Sequence, residues 1–310
     1  MTTTRRIQCK WEGHAITLQV DEDGSGSSLV LLPALSSIST RAEMRPLLEL
    51  LTRAFHVTAV DWPGFGDLPR PRANWTPDTL STFLNWFLNE ISPRTHAVIA
   101  AGHAATYALY QAVNRPNTIG RLVLIAPTWR GPLPTMMGAY RPWFARARKT
   151  VDLPMIGQLL YRLNVSRFVV AKMAREHVYS DPNWLSGDSL RSKLAVTRCQ
   201  GARHASVRFV TGGFDLVASR EAFLDLVRRA NIPTLVIFGD ETPPKSRAEM
   251  EALAQLTSVT IRRLPRGKLA IHEEFPDLVA SSIESFLASR SEHVCLVRSR
   301  ICREARSTIT

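Results

Sequence analysis

Short apolar runs recur along this chain, with stretches of helical pattern between most of them. They cover residues 29–32, 57–60, 97–101, 122–126, 234–238 and 259–263. Apolar strands that alternate with helices are typical of a parallel sheet covered on both faces. Two earlier β-prone runs, at 7–11 and 14–20, flank Glu12-Gly13 and predict a hairpin. The pattern therefore predicts an α/β fold.

The alternation of strands and helices stops at the segment 132–206, whose pattern is helical. This predicts a helical cap inserted between the two parts of a core, residues 1–131 and 207–289. Residues 140–176 of the cap contain eight basic residues and two acidic ones, interleaved with aromatic side chains. This combination favours peripheral contact with an anionic membrane surface. The arginine-rich segment 290–310 lacks apolar periodicity, so we expect a flexible tail.

Composition excludes several classes of protein. The chain has 310 residues, 45% hydrophobic and 21% charged, which excludes a disordered chain and a disulfide-dependent mini-protein. Its net charge of +12 suits an anionic partner, but no nucleic-acid-binding motif accompanies the charge, so no nucleic acid is expected. The four cysteines are scattered, without a metal-ligand spacing, and we predict no metal and no cofactor. Without an export signal or a long apolar run, the sequence predicts a cytoplasmic protein.

Two glycine-containing motifs resemble those of a known family. Residues 61–66, Asp-Trp-Pro-Gly-Phe-Gly, resemble the D-x-P-G-x-G loop of the α/β-hydrolase superfamily. Residues 102–106, Gly-His-Ala-Ala-Thr, are similar to its G-x-S-x-G nucleophile elbow, a strand, a tight turn and a helix. The segments 232–239 and 264–277 resemble those that carry the catalytic acid and histidine. The resemblance implies an α/β-hydrolase fold, a mostly parallel sheet flanked by helices with a helical cap.

On this alignment, the three catalytic positions hold side chains unsuited to acyl transfer. A serine hydrolase needs a hydroxyl, an imidazole that takes its proton and a carboxylate that orients the imidazole. The elbow position is Ala104, the acid position is Thr242, and the histidine position is Lys268 or Leu269. The resemblance is thus to a branch of the superfamily with a degenerate triad and alanine at the elbow.

Three other residues are candidates for acid–base chemistry. Asp240 is near the acid position, and Lys268 would have a lowered pKa in a dry pocket. His272 follows four residues after Lys268 and stands beside Glu273 and Glu274, so we interpret it as a solvated residue at the start of a helix.

The resemblance also suggests a binding site that does not need a nucleophile. Its oxyanion hole would use the backbone amides of Ala105 and Leu35, since Pro33 has no N–H to donate. Ser36 and His103 would lie beside these amides. Trp129 would either form the floor of the cavity or pack beneath the cap.

Three functions are compatible with these residues. The first is a hydrolase-like pseudoenzyme that binds a small lipophilic carbonyl compound, or a partner, in the former active-site cleft. The second is a lyase, isomerase or oxygenase with Lys268, His272 or Asp240 as base. The third is an esterase or lipase-like hydrolase that recruits a serine of the loop at 33–39, with His103 or His272 as its proton acceptor.

Overall fold

The predicted hairpin and all six predicted strands are present in a computed structural model, which describes residues 1–11 and 13–288. The strands are β1 Thr3–Trp11, β2 His14–Gly24, β3 Ser27–Leu32, β4 Phe55–Val60, β5 Thr95–Ala101, β6 Ile119–Ile125, β7 Thr234–Gly239 and β8 Val259–Leu264. They form one sheet in the order β1-β2-β4-β3-β5-β6-β7-β8. The hairpin strands pair antiparallel with each other, β2 pairs antiparallel with β4, and all later pairs are parallel. The predicted mostly parallel sheet is confirmed.

Helices cover both faces of the sheet, as the apolar strands require. The helices of the core are α1 Arg45–Leu51, α2 Pro77–Trp86, α3 Ala104–Asn114, α10 Arg220–Ala230, α11 Pro244–Glu251, α12 Ile271–Glu274 and α13 Pro276–Ala288. The helices between β6 and α10 are α4 Pro132–Met137, α5 Trp143–Asp152, α6 Pro154–Asn164, α7 Arg167–Met173, α8 Gly187–Arg198 and α9 Ala202–Val210. No helix in the described part of the chain is long and apolar enough to cross a membrane.

Successive residues of β3 point to opposite faces of the sheet and so belong to different cores. Leu29 and Leu31 pack with α1 and α13, whereas Val30 and Leu32 pack with α2, α3 and α10. All four side chains are fully buried, and burial of each stabilises the fold by ~1.5–3 kcal/mol. This two-sided packing holds the carboxyl ends of the parallel strands, where the candidate site lies, in fixed positions.

The segment predicted as a cap is helical, and its helices enclose a third, smaller apolar cluster that includes Tyr161, Val170 and Tyr179. Its assignment as a separate domain stays a prediction. The predicted basic tail at 290–310 lies outside the described residues.

Candidate functional site

The tight turn after β5 is at Gly102. β5 ends at Ala101, α3 begins at Ala104, and Gly102 between them has a φ of +52°. A nucleophile elbow is a sharp turn from strand to helix, and Gly102 is the residue of this turn with a positive φ, which glycine adopts without strain. Gly102 therefore stands at the summit of the turn.

The sequence predicted Ala104 at this position, but the residue with the positive φ is Gly102. Ala104 is the first residue of α3 and is fully buried in the core. The alignment matched Gly102 to the first glycine of G-x-S-x-G, whereas the backbone matches it to the middle position, with Ala100 and Ala104 as the small flanking residues. The amide of Ala105 donates within the turn to the Gly102 carbonyl oxygen at 3.3 Å. The amide that follows the summit is consequently that of His103, not that of Ala105.

The loop after β3 closes tightly over the turn. A Cβ placed on Gly102 would lie 3.2 Å from the Cβ of Ala34, closer than ordinary van der Waals contact. Two hydrogen bonds hold this loop: the Ala34 amide donates to Glu43 Oε1 at 2.7 Å, and Trp62 Nε1 donates to the Pro33 carbonyl oxygen at 2.9 Å. The space into which a side chain at the summit would project is thus bordered by the Ala34 methyl group.

The side chains at and beside the predicted acid and histidine positions differ in their contacts. Thr242 is buried, and its amide donates to the Gly239 carbonyl oxygen at 3.1 Å. Asp240 forms an ion pair with Arg263 near the surface. Lys268 Nζ donates to a cap carbonyl oxygen at 2.7 Å, and Leu269 packs against the core. Asp240 and Lys268 are therefore engaged elsewhere, Leu269 has no proton-transfer group, and the Thr242 hydroxyl is buried without a hydrogen-bond partner among the described residues.

His272 is buried, so its interpretation as a solvated helix-start residue is wrong. Only 1% of its surface is exposed, and neither ring nitrogen has a hydrogen-bond partner among the described residues. Nε2 lies 3.8 Å from Glu43 Oε1. Lys193, from α8, lies 2.9 Å from Glu273 Oε1 and 3.7 Å from Glu43 Oε2. The Tyr179 hydroxyl donates to Glu273 Oε1 at 2.8 Å.

The charges of this buried cluster stabilise one another. Burial by itself would raise the pKa of Glu43, but His272 and Lys193 outweigh it and hold the pKa below its usual range. Burial would lower the pKa of Lys193, yet Glu273, Tyr179 and Glu43 raise it well above the usual value. Both groups are therefore charged at neutral pH.

An imidazole beside a carboxylate can move a proton, so this cluster has the chemistry that a nucleophile-independent reaction needs. Glu43, His272 and Glu273 also place ligand atoms within 4.8 Å of one another, close enough to share a metal ion. The Lys193 ammonium, however, already supplies a positive charge to both carboxylates. The cluster therefore does not need a metal for charge balance.

The loop serines do not reach a histidine. The Ser37 hydroxyl is hydrogen-bonded to Ser206, and Ser36 Oγ accepts from the Ile38 amide at 3.3 Å. Ser39 lies near the Glu43 carboxylate. Within the described residues, none of these hydroxyls is hydrogen-bonded to His103 or His272. The geometry that the esterase hypothesis requires is absent from this part of the chain.

His103 packs inward, opposite a buried carboxyl group. Its Nε2 is 3.2 Å from the Phe214 carbonyl oxygen and 3.5 Å from Asp215 Oδ1. Burial lowers the pKa of His103 to about 4 and raises that of Asp215 to about 7. The Gly131 amide donates to Asp215 Oδ1 at 2.9 Å. This hydrogen bond connects the segment after β6 with the segment after α9.

Trp129 packs against α10 and α11 of the core. Its ring stacks on Phe223, Arg130 lies 4.3 Å from the ring centroid, and Nε1 donates to Glu249 Oε2 at 3.2 Å. The indole N–H is therefore already engaged.

The comparisons with known proteins agree with this architecture. Residues 29–282 match the model of the Alpha/beta hydrolase family. The chain belongs to the alpha/beta hydrolase family. No curated protein sequence matches it significantly.

Several solved structures share the alpha/beta hydrolase fold of this chain. A serine hydrolase involved in carbazole degradation is 16% identical, with a TM-score of 0.69 over 93% of this chain and 100% of its own. An epoxide hydrolase is 18% identical, with a TM-score of 0.69 over 92% and 99%. A thermophilic esterase from Thermogutta terrifontis is 17% identical, with a TM-score of 0.70 over 91% and 98%. At these identities, the similarity extends to the fold alone.

Two cavities of this family member lie away from the turn at Gly102. One, of about 430 Å³, lies between the β1–β2 hairpin and α2 and is lined by residues such as Trp11, Phe83 and Trp86. The other, of about 290 Å³, lies between the core and cap and is lined by four arginines. Neither is lined by the predicted binding residues Leu35, Ser36, His103, Ala105 and Trp129. Of these five, only Ser36 is not buried.

Sequence reasoning missed Glu43 and Lys193 as site residues. Glu43 stands in a short 3-10 helix after β3, and Lys193 stands on α8, about 150 residues later. No local motif marks either residue, because their proximity depends on how the cap lies on the core. The sequence contained one signal for this cluster, the adjacent acidic residues Glu273 and Glu274. Their negative charges, if buried, would require a cation nearby.

Proposed function

We propose that this chain is a member of the alpha/beta hydrolase family that binds a ligand or partner and does not hydrolyse esters through a serine triad. The observation that carries this proposal is Gly102 at the summit of the turn after β5. Glycine offers no atom that can attack a carbonyl carbon, so the covalent route of the family has no first step.

The other triad positions support the same proposal. Thr242 at the acid position and Leu269 or Lys268 at the histidine position can neither orient nor provide an imidazole. Removal of a single triad member already costs about 10⁴-fold or more in rate. Absence of all three leaves only backbone groups to polarise a carbonyl.

A small lipophilic carbonyl compound or a partner protein is the ligand class that we propose for the region of the turn. The buried side chains of Leu35 and Trp129 supply apolar surface, and the N-terminus of α3 supplies positive partial charge for a carbonyl oxygen. A ligand must displace Ala34 from its position above Gly102 to reach these groups. Binding is therefore expected to involve movement of the loop at 33–39.

Activity-based labelling tests the loss of serine chemistry. We expect a fluorophosphonate probe to leave the purified protein unlabelled and p-nitrophenyl butyrate to be hydrolysed no faster than in buffer. Stoichiometric labelling of any serine, identified by peptide mass spectrometry, would contradict the proposal. An active esterase of the same family, labelled in parallel, controls for the probe.

An exposed apolar face on α6 favours a second role, docking on an anionic membrane surface. Met155, Ile156, Leu159, Leu160 and Leu163 have exposed fractions of 42–85%. Their spacing places them on one side of the helix, while Gly157 and Tyr161 are buried on the other. Contiguous exposed apolar side chains of this kind mark interaction surfaces.

The basic residues around this apolar face favour an anionic membrane over a second copy of the chain as its partner. Lys149, Arg162 and Arg167 are exposed on α5, α6 and α7 beside the apolar side chains. Two copies of the chain would bring these like charges together, whereas anionic lipid headgroups would neutralise them. The combination of apolar face and basic border therefore favours a membrane over self-association.

Vesicle flotation tests this second role. We expect the protein to float with vesicles of phosphatidylcholine and phosphatidylglycerol but not with phosphatidylcholine alone, and Leu159→Glu to reduce flotation at least fivefold. Leu278→Glu is the matched control, because Leu278 is an exposed apolar residue on α13 of the core. Equal flotation of Leu159→Glu and wild type would rule out docking through α6.

A further inference from the structure

A crevice between core and cap concentrates positive charge. This cavity of about 290 Å³ is bordered by residues 70 and 72 of the core, by α6, and by the turn between α8 and α9. We call it the arginine crevice after its four arginines, Arg70, Arg72, Arg198 and Arg203. Neither aspartate nor glutamate is among its lining residues.

These arginines lack carboxylate partners. None of the four forms an ion pair within residues 1–11 and 13–288. Two acidic side chains near the crevice are engaged elsewhere: Asp67, three residues before Arg70, pairs with Arg41 at 3.2 Å, and Asp152, which contacts the lining residue His204, pairs with Arg208 at 3.0 Å. Within the described residues, the four arginines therefore have no carboxylate within ion-pair distance, although Asp61 and Asp67 attract Arg70 from further away.

Three buried polar atoms in the crevice lack hydrogen-bond partners among the described residues: Arg70 Nε, Arg203 Nε and the Tyr161 hydroxyl. Arg70 is only 7% exposed, and its Nε has no acceptor among the described residues, although Nη2 donates to the Gly66 carbonyl oxygen. Burial lowers the pKa of Arg70. The Tyr161 hydroxyl is likewise buried without a hydrogen bond of ordinary geometry in this part of the chain, with the Ser206 side chain as a polar neighbour. Unpartnered buried donors are costly to a fold, so an acceptor that enters the crevice would gain strong hydrogen bonds.

The backbone holds the crevice in shape. The Arg70 amide donates to the Gln200 carbonyl oxygen at 2.9 Å. Gly201 has a φ of +79°, and a Cβ on it would lie 2.1 Å from the Arg70 carbonyl oxygen. Only glycine permits this approach, which brings residues 70 and 198–203 to one site.

We propose that the arginine crevice binds a phosphate group. Guanidinium groups donate paired N–H bonds to phosphate oxygens, and several oxygens on a dianion can satisfy Arg70, Arg203 and the Tyr161 hydroxyl together. This site goes beyond the proposed function, because it uses none of the residues around Gly102.

The phosphate belongs either to a soluble phosphate compound or to a lipid headgroup, and both present the same chemistry. Helix α6 contributes both to the crevice and to the exposed apolar face. Gln158 and Tyr161 of this helix line the crevice, whereas its Leu159 and Leu163 are exposed. A lipid phosphate in the crevice would thus lie on the helix whose apolar face suits the acyl region.

Isothermal titration calorimetry with inorganic phosphate, in chloride buffer, tests the soluble form. We expect saturable one-to-one binding by wild type, and about tenfold weaker binding by Arg203→Gln and by Arg198→Gln, the ratio that corresponds to ~1.4 kcal/mol. Arg53→Gln is the matched control: it removes the same charge from an exposed position in the core and should leave affinity within twofold of wild type. Unchanged melting temperatures without phosphate show that the variants fold.

Flotation with vesicles that contain phosphatidic acid distinguishes the lipid form. A lipid phosphate is supported as the ligand if the protein binds these vesicles but not inorganic phosphate. Arg203→Gln should then lose vesicle binding, and Arg53→Gln should retain it. Absence of both kinds of binding, or equal affinities of all three variants, overturns the proposal. Fluorophosphonate labelling is independent of these outcomes, so failure of this site and failure of the proposed function are distinguishable.

Discussion

The Glu43 carboxylate accepts a hydrogen bond from the backbone amide of Ala34, with 2.7 Å between oxygen and nitrogen. Through this bond, the loop over Gly102 is connected to the buried cluster of Lys193 and His272, because the same carboxylate faces both. Glu43 therefore joins three parts of the chain, the loop after β3, the cap helix α8 and the short helix α12.

Glu43→Ala is expected to lower the free energy of unfolding by about 3 kcal/mol, because it removes one of the two carboxylates that face Lys193 and leaves the Ala34 amide without its acceptor. Urea denaturation monitored by circular dichroism measures the change. Glu49→Ala, at an exposed ion pair with Arg45, should cost less than ~0.5 kcal/mol. Equal effects of the two substitutions would show that the buried network adds nothing to stability.

Gly102→Ala is expected to destabilise the fold more than Gly138→Ala. Both glycines have a positive φ, which costs a non-glycine residue ~1 kcal/mol. A methyl group at Gly138 meets nothing within 4 Å, whereas one at Gly102 meets Ala34 at 3.2 Å. Ala34→Gly in the Gly102→Ala background should recover the difference in melting temperature; no recovery would mean that Ala34 does not restrict the turn.

Trp62→Phe is expected to destabilise the protein by about 1–3 kcal/mol more than Trp75→Phe, because it leaves the carbonyl oxygen that accepts from the indole without a hydrogen bond. Both tryptophans are buried, but only Trp62 has a hydrogen-bonded indole, which donates to the Pro33 carbonyl oxygen. Chemical denaturation of both variants gives the comparison. A larger loss from Trp75→Phe would contradict the role of Trp62 in holding the loop.

The pH dependence of stability tests the buried carboxyl group of Asp215. Burial raises its pKa to about 7. Because folding raises this pKa, the contribution of Asp215 to stability is complete below its pKa in an unfolded chain, about 3.9, and is lost as the pH rises through the folded value. Relative to wild type, Asp215→Asn should therefore gain stability with rising pH across this window, by up to ~1 kcal/mol per pH unit.

Wild type itself should show a weaker slope, because His103 acts in the opposite direction. Burial lowers the pKa of His103 to about 4, so its contribution is present above about 6.5, the pKa in an unfolded chain, and is lost as the pH falls. Asp225→Asn, at an exposed residue of α10, is the control and should run parallel to wild type. Parallel curves for Asp215→Asn and wild type would refute the raised pKa.

The sequence predicted the strands closely because each is a short apolar run whose type and position depend on local pattern. The D-x-P-G-x-G and G-H-A-A-T segments then identified the family fold. The site was less predictable. The turn was placed two residues late because the motif G-x-S-x-G and the backbone φ at Gly102 indicate different registers, and only the backbone shows which residue adopts the left-handed conformation.

The sequence by itself determined the alternation of strands and helices and the family, since these follow from residue identity, local motifs and local periodicity. Only the tertiary structure decided that His272 is buried beside Glu43, that Lys193 reaches both acids, and that four arginines surround one cavity. These groups come from segments far apart in the chain. Their distances depend on how the sheet orders its strands and how the cap packs on it, and no local pattern records that packing.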